Sequence, residues 1–347
     1  MSSTSQRKTE HFEIALRPEM YHIADSGLDD YNFDYCALFE HSLESVSTET
    51  EIFGIKLNYP IIIGSMTGGA ASTAAFTHAA ARCAAHFGFG FGLGSCRAIA
   101  ENPDLIETYG LTACRSDIPL VIGNIGISQL ACDPVYMHKL SPILEEMGVH
   151  AIYCHLNILQ EYLQPEGDRC FDGASAAIRN LAQSYPHPVI IKEVGNGISG
   201  ECATRLRNLG VLHLETAGLG GTSWVAIEAE RCRQRGDFAR AAIAESLIRL
   251  GIPTASAIVQ CRNALGQNGT VIGSGGIRTA LDIAKALALG ANAVAIARPF
   301  LVAWHERGEQ GLFEYAESLT VGLRIIMATL DCPDINHLYH QKLQKIR

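Results

Sequence analysis

The sequence predicts an α/β chain built as a (β/α)8 TIM barrel, with an N-terminal extension and a helical insertion between strands 6 and 7. Three observations predict it. Eight short apolar runs recur along the 347 residues. Helix-like stretches separate most of them. Glycines or polar groups follow each run. Continuous apolar runs of this length fit parallel strands buried on both faces, and their repeated alternation with helices points to a closed barrel. A doubly wound open sheet is the main alternative, but no GxGxxG follows the first run.

The eight runs are Ile61–Gly64, Phe89–Leu93, Leu120–Gly123, Ala151–His155, Val189–Lys192, Val211–Glu215, Val271–Gly273 and Ala293–Ala297. Helices are expected over Thr73–His86, Pro134–Met147, Gly173–Gln183, Ser199–Leu209 and Leu281–Leu289. Residues 1–58, rich in charged and aromatic side chains, form the extension, and residues 59–347 form the barrel. The stretch 223–260 is the insertion, expected to cover the barrel mouth, where functional insertions of this fold sit.

Composition narrows the function classes. Hydrophobic residues make up 48% and charged residues 18%, which supports a sizeable core and excludes a disordered chain. A net charge of −9 argues against a broad nucleic-acid surface. An anionic small molecule met by a few convergent cations remains open. The 11 cysteines contain no CxxC pair, so most are expected to be buried reduced thiols of a cytoplasmic protein. The opening MSSTSQRKTEHFE lacks the apolar core of a signal peptide. The stretch from Tyr59 to Ala81 carries no Asp, Glu, Lys or Arg, but its Gly, Ser and Thr residues mark a buried strand and loop, not a membrane span.

Residues just past the strands of a parallel barrel line one face, where the active site lies. Here they include Ser65 to Gly69, Gly94 to Arg97, Asn124, the segment HLNILQE with His155, Asn157, Gln160 and Glu161, then Lys192, Thr222 to Trp224, Gly275–Gly276 and Ala297–Arg298. Gly275 and Gly276 let amide groups approach an anion, with a helix start near Thr279 and the Arg298 fork beside them. Lys192, within an apolar strand, needs an anionic or electron-rich partner. That partner is either the pyrimidine edge of a flavin or a barrel carboxylate such as Glu193. Thr67, Asn124 and Thr222 suit a flavin's hydrogen-bonding edge, or simply form turns. Glu161 alone makes no closed metal cage, yet can give one ligand to Mg²⁺ alongside substrate phosphates. Arg7, Lys8 and Arg97 are partners for a diphosphate, although by themselves Arg7 and Lys8 read as a solvated tail.

In order along the chain, PIIIGSMTGG, GLGSCRA, GNIGISQL, HLNILQEYLQPEGDRCFDG, PVIIKEVGNGIS, AGLGGTSWVAIEAER, GIPTA and GSGGIRTALDIAKALALGANAVAIARPFL, preceded by RKTEH, resemble the type II isopentenyl-diphosphate isomerases. The resemblance covers essentially the whole chain. It implies FMN, Mg²⁺ and NADPH as reductant, and interconversion of isopentenyl and dimethylallyl diphosphate with no net redox change. It implies FMN contacts from Ser65, Met66, Thr67, Gly68, Ser95, Asn124, Lys192, Thr222, Gly275, Gly276, Ala297 and Arg298. It implies substrate contacts from Arg7, Lys8, Ser95, Cys96, Arg97, His155, Asn157 and Gln160, and an Mg²⁺ ligand in Glu161. Reduced flavin is the expected acid and base, with Gln160 the nearest protein proton relay. The family is often tetrameric or larger, so a homo-oligomer is expected, with no nucleic-acid or membrane partner. Cys96, Asn196, Glu215 and Leu250 depart from the family pattern. The rival reading is an FMN-dependent 2-hydroxy-acid oxidase, which needs a His closely followed by an Arg near the sixth strand. AGLGGTSW offers neither.

Overall fold

The computed structural model describes residues 3–20, 24–38 and 42–346, the side chains of residues 3–8 and 18 excepted. The chain opens with helix α1 (Ser3–Ala15), strand β1 (Tyr31–Phe33) and the hairpin β2 (Thr50–Ile52) and β3 (Ile55–Leu57). Strand β4 (Ile61–Ile63) starts the barrel, followed by α2 (Ala71–Phe87), β5 (Gly90–Gly92), α3 (Arg97–Glu101), β6 (Leu120–Gly126), α4 (Ile127–Cys132) and α5 (Tyr136–Glu146). Next come β7 (Ala151–Leu156), α6 (Ile158–Leu163), α7 (Ala174–Ser184), β8 (Val189–Glu193), α8 (Gly200–Asn208) and β9 (His213–Glu215). The chain continues through α9 (Trp224–Gln234), α10 (Phe238–Leu247), α11 (Thr254–Leu265), β10 (Thr270–Ser274), α12 (Ala280–Ala288), β11 (Ala293–Ile296) and α13 (Arg298–Thr329). It ends in α14 (Ile335–Tyr339) and β12 (Leu343–Lys345), which pairs antiparallel with β1.

Strands β4 to β11 close an eight-stranded parallel barrel, each falling on one of the expected apolar runs. Closure pairs Val294 with Ile61 and Ile296 with Ile63. The runs are apolar throughout because both faces are buried, and alternate residues serve different cores. Ile62, Ile122, Tyr153, Ile190 and Ile272 fill the interior, where Ile52 and Leu57 of the hairpin join them. Ile61, Ile63, Val121, Ile152, Ile191 and Val271 face the helices.

The stretch 223–260 divides in two. Helices α9 and α10 pack on each other and form the insertion. Helix α11 packs on α8 and β10, so it is the barrel's own sixth helix. Helix α1 lies against α9 through Ile14, Ala15, Ala226 and Ile227. Nine cysteines form no disulfide, most of them buried, and Cys132 is paired with Cys170. No helix among the described residues is long and apolar enough to cross a membrane.

Candidate active site

A cavity of about 510 Å³ opens at the carboxyl ends of the barrel strands. That size falls within the range of small-molecule sites. At one end lies the turn after β10. Gly275 (φ +102°) and Gly276 (φ +73°) hold conformations that side chains resist. Arg278 braces the turn, donating from Nη1 to the Gly276 carbonyl at 2.7 Å and from Nη2 to the Gly220 carbonyl at 2.6 Å.

The helix start near Thr279 does not serve this cavity. Thr279 Oγ1 accepts from the Asp282 amide at 3.2 Å, and Asp282 Oδ2 accepts from the Arg278 and Thr279 amides at 3.0 Å each. This capping box closes the α12 terminus on itself. The terminus that faces the cavity belongs to α13, where Ala297, Arg298, Pro299 and Leu301 line the wall and no side chain caps the start. The Arg298 guanidinium is turned toward the N-terminal chain, donating to the carbonyls of Met20 and, at 3.0 Å, Arg17.

Lys192 lines the cavity from β8. Its Nζ lies 3.2 Å from Glu215 Oε1 and donates to the Glu193 carbonyl at 2.7 Å. Barrel register dictates the ion pair, because Lys192 and Glu215 are direct partners on β8 and β9. Both line the cavity, so the carboxylate alternative for Lys192 is present beside the proposed flavin contact. Glu193 turns away: its Oε2 accepts from the amides of Val194, Gly195 and Asn196 at 2.6, 2.7 and 2.5 Å. Burial pushes its carboxyl up, while those amides oppose the shift.

At the far end, His155 Nδ1 lies 2.7 Å from Asn124 Oδ1, and Asn124 Nδ2 donates to the Leu93 carbonyl at 3.1 Å. The amide's own donor is thereby used, so Nδ1 carries the proton and Nε2 the lone pair in the neutral ring. Burial, with Lys192 nearby, holds His155 down to about 3. His155 therefore offers an acceptor rather than a positive charge. Glu161 is buried and accepts from Asn157 Nδ2 at 2.7 Å, Gln164 Nε2 at 2.6 Å and the Asp168 amide at 2.8 Å. No group of three His, Cys, Asp or Glu side chains able to hold a metal ion occurs among the described residues, so a cation at Glu161 needs ligands from substrate or water.

Ser65, Met66, Thr67, Ser95, Arg97, Asn124, His155, Asn157, Gln160, Glu161, Lys192, Thr222, Gly275, Gly276, Ala297 and Arg298 all line this one cavity. Two expected residues do not. Cys96 is fully buried, its amide bonded to the Asn124 carbonyl at 2.7 Å, and it faces the core rather than a substrate. Gly68 sits under the Tyr109 ring, which a Cβ there would meet at 2.6 Å. The Arg7 and Lys8 side chains lie outside the described residues, although their backbone belongs to α1.

Sequence reasoning missed His11 and Phe12, which α1 brings to the cavity, together with Gln129, Gln164, Glu215 and Arg278. His11 Nε2 lies 2.7 Å from Glu228 Oε1 and its ring packs edge-on against Trp224. Arg231, almost fully buried, pairs with Glu10 of α1, Glu166 and Glu228 and so fastens the helix. Burial opposes ionisation of Glu166, yet Arg231 and Arg235 hold its carboxyl down to about 2. The signal available in the sequence was Glu228 three residues before Arg231, a spacing that pairs them on one helix face but does not point to Glu10 or Glu166.

The hydrogen bonding leaves polar atoms for a ligand to meet. Ser65 Oγ, Asn157 Oδ1 and Gln164 Oε1 are buried without a partner among the described residues, and all three residues line the cavity. Native proteins rarely leave such atoms unpaired without a ligand or water to meet them.

Residues 165–345 match the family model for FMN-dependent dehydrogenases. Among solved structures, a mandelate oxidase variant is similar with a TM-score of 0.68 at 17% identity, covering 99% of this chain and 98% of that one. An (S)-mandelate dehydrogenase chimera is similar at 0.66 and 19%, covering 97% and 99%. These likenesses define the class: an α/β barrel built on the FMN-dependent dehydrogenase plan. Curated relatives narrow it. Isopentenyl-diphosphate delta-isomerases from Ignicoccus hospitalis and a Synechococcus strain are 36% and 37% identical, each over 96% of this chain and over 92% and 94% of their own. That of Halobacterium salinarum is 36% identical over 97% of this chain and 92% of its own. The chain belongs to the isopentenyl-diphosphate delta-isomerase family.

Proposed function

We propose that the chain interconverts isopentenyl diphosphate and dimethylallyl diphosphate, using FMN, Mg²⁺ and NADPH as reductant, as a cytoplasmic homo-oligomer. The observation that carries the reading is one cavity joining a glycine-turn cradle to Arg97, Gln160 and Glu161, with unpaired polar atoms between them. The flavin phosphate fits at Gly275, Gly276 and the α13 start, and its ring fits along Ser65 to Thr67, Asn124, Lys192 and Thr222. Glu161 is the protein's ligand to Mg²⁺, and the diphosphate supplies others. Exposed Leu281 on α12, with Val321 and Ile325 on the packed helix α13, supports a self-associating surface.

Reduced FMN supplies the proton donor and acceptor that moving a double bond requires. The chain's residues bind and orient the substrate. Arg97 meets phosphate oxygens, and Arg7 and Lys8 are assigned to the same group. His155 Nε2 accepts from a phosphate hydroxyl or a cation's water. Trp224 and Phe12 exclude water from the hydrocarbon end. Gln160 is the chain's own proton relay in this reading, although an amide is a poor acid or base.

The test is purified protein with isopentenyl diphosphate, FMN, NADPH and Mg²⁺. Dimethylallyl diphosphate should form without stoichiometric NADPH loss. Peroxide production from a 2-hydroxy acid, with no isomerisation, would replace this reading by the oxidase.

A further inference from the structure

Asp168 sits between the two arms of the cavity that meet a diphosphate. Its Oδ2 accepts from Arg97 Nη1 at 2.8 Å, from Gln129 Nε2 at 2.8 Å and from Ser128 Oγ at 3.4 Å. Its backbone amide donates to Glu161 Oε2 at 2.8 Å. One residue thus touches the anion-binding arginine through its side chain and the cation-binding carboxylate through its main chain.

The chain is shaped for this. Helix α6 ends at Leu163, and the next residues fold back over it, with the Gly167 amide bonded to the Gln164 carbonyl at 3.1 Å. At Gly167 the backbone passes so close to Glu161 that a Cβ would overlap the Glu161 carbonyl. Only glycine permits that approach, and it delivers the next amide, that of Asp168, onto the Glu161 carboxylate. Among the described residues Arg97 has one other carboxylate partner, Glu101 at 3.0 Å, in the next turn of its own helix. A half-exposed ion pair contributes little to stability by itself. Its value here is geometric: Asp168 fixes where the guanidinium stands relative to the cation's ligand.

We propose that Asp168 is a positioning residue that sets Arg97 and Glu161 as one unit, so that the phosphate-binding and metal-binding arms form together. This rests on the function proposed above. Asp168 itself need not touch substrate. Removing its charge should release Arg97 while leaving the glycine-turn end of the cavity, and hence FMN, undisturbed.

The test uses the full-length FMN-loaded protein. Calorimetric binding of inorganic pyrophosphate in the presence of Mg²⁺ is measured alongside KM, kcat and flavin content. Asp168→Asn should weaken pyrophosphate binding and raise KM on the order of tenfold, the equivalent of ~1.4 kcal/mol, with flavin content unchanged and kcat changed far less. Asp168→Glu, which keeps the charge, should recover part of the loss. In an Arg97→Ala background, Asp168→Asn should cost much less, because coupled residues are not additive. Wild-type-like binding by Asp168→Asn, or full additivity with Arg97→Ala, overturns the proposal. Should Asp168→Asn lose flavin, Asp168→Glu decides: a loss of flavin there too means a purely structural loop. Wild-type protein that neither binds pyrophosphate nor isomerises would instead overturn the function on which this rests.

Discussion

Replacing Lys192 by methionine separates its two roles. Methionine keeps the length and bulk of the side chain and removes the charge. The side chains of Lys192 and Glu215 are only 9% and 4% exposed, so the substitution strands a carboxylate away from water. Breaking a buried pair from one side costs ~3–5 kcal/mol. Ser274 Oγ still donates to Glu215 at 3.0 Å, which argues for the lower end. Against a total stability of ~5–15 kcal/mol that is a large fraction. For a chain of this size the melting temperature of the flavin-free protein should fall by several degrees, at ~2–4 °C per kcal/mol. Adding Glu215→Gln to Lys192→Met removes the stranded charge and should restore most of the loss. Flavin content should not recover, because the cation proposed to face the isoalloxazine is absent from both variants. Thermal unfolding and flavin absorbance, measured on the same samples, check both statements. A Lys192→Met protein as stable as wild type, or a double variant no more stable than the single, would refute the ion-pair argument. Full flavin content in both would remove Lys192 from the cofactor site.

His155 should make stability fall with acid. Its folded value of about 3 lies below the unfolded 6.5, so the unfolded chain takes up the proton first, and stability drops by ~1.4 kcal/mol per pH unit below 6.5; His155→Gln should flatten that limb in urea unfolding between pH 4 and pH 7. Glu161→Gln should retain FMN but lose its Mg²⁺-dependent activity, and an Mg²⁺ titration that overlays wild type would dismiss the metal assignment. Deleting residues 1–8 should raise KM for isopentenyl diphosphate by one to two orders of magnitude, at ~1.5–3 kcal/mol per lost charge-assisted hydrogen bond. Flavin should stay bound in that truncation, because the cradle proposed for it, Gly275, Gly276 and the α13 start, is left intact, and an unchanged KM would return Arg7 and Lys8 to a solvated tail.

The barrel was legible because its signal is local. Eight apolar runs each answer to burial on two faces, and residues just beyond them inherit a common mouth from the topology alone. Glu215 was harder. It ends the sixth run just as Lys192 nears the end of the fifth, but only barrel register makes them partners. His11 and Phe12 were harder still. The N-terminal segment reads as polar and solvated, and what turns it into a docked helix is Arg231, whose carboxylate partners lie at positions 10, 166 and 228.

A further class of support leaves no mark at the partner position. Arg298 reaches the carbonyls of Arg17 and Met20, and Arg278 those of Gly220 and Gly276. Asn196 Nδ2 donates to the Leu250 carbonyl at 2.5 Å, and the Ile252 amide returns a bond to the Asn196 carbonyl at 2.9 Å. Two residues separate in sequence are thus neighbours at the seam between the β8 loop and the insertion. Every residue carries a carbonyl, so nothing in the identity of residue 250 announces that it accepts from residue 196. Side-chain chemistry names the donor, whereas the acceptor is chosen by the path of the backbone. The groups that touch a ligand can therefore be read from the chain more readily than the groups that hold them in place. Asp168 joins both cases, since its side chain finds Arg97 across 71 residues while its amide, common to all residues but proline, finds Glu161.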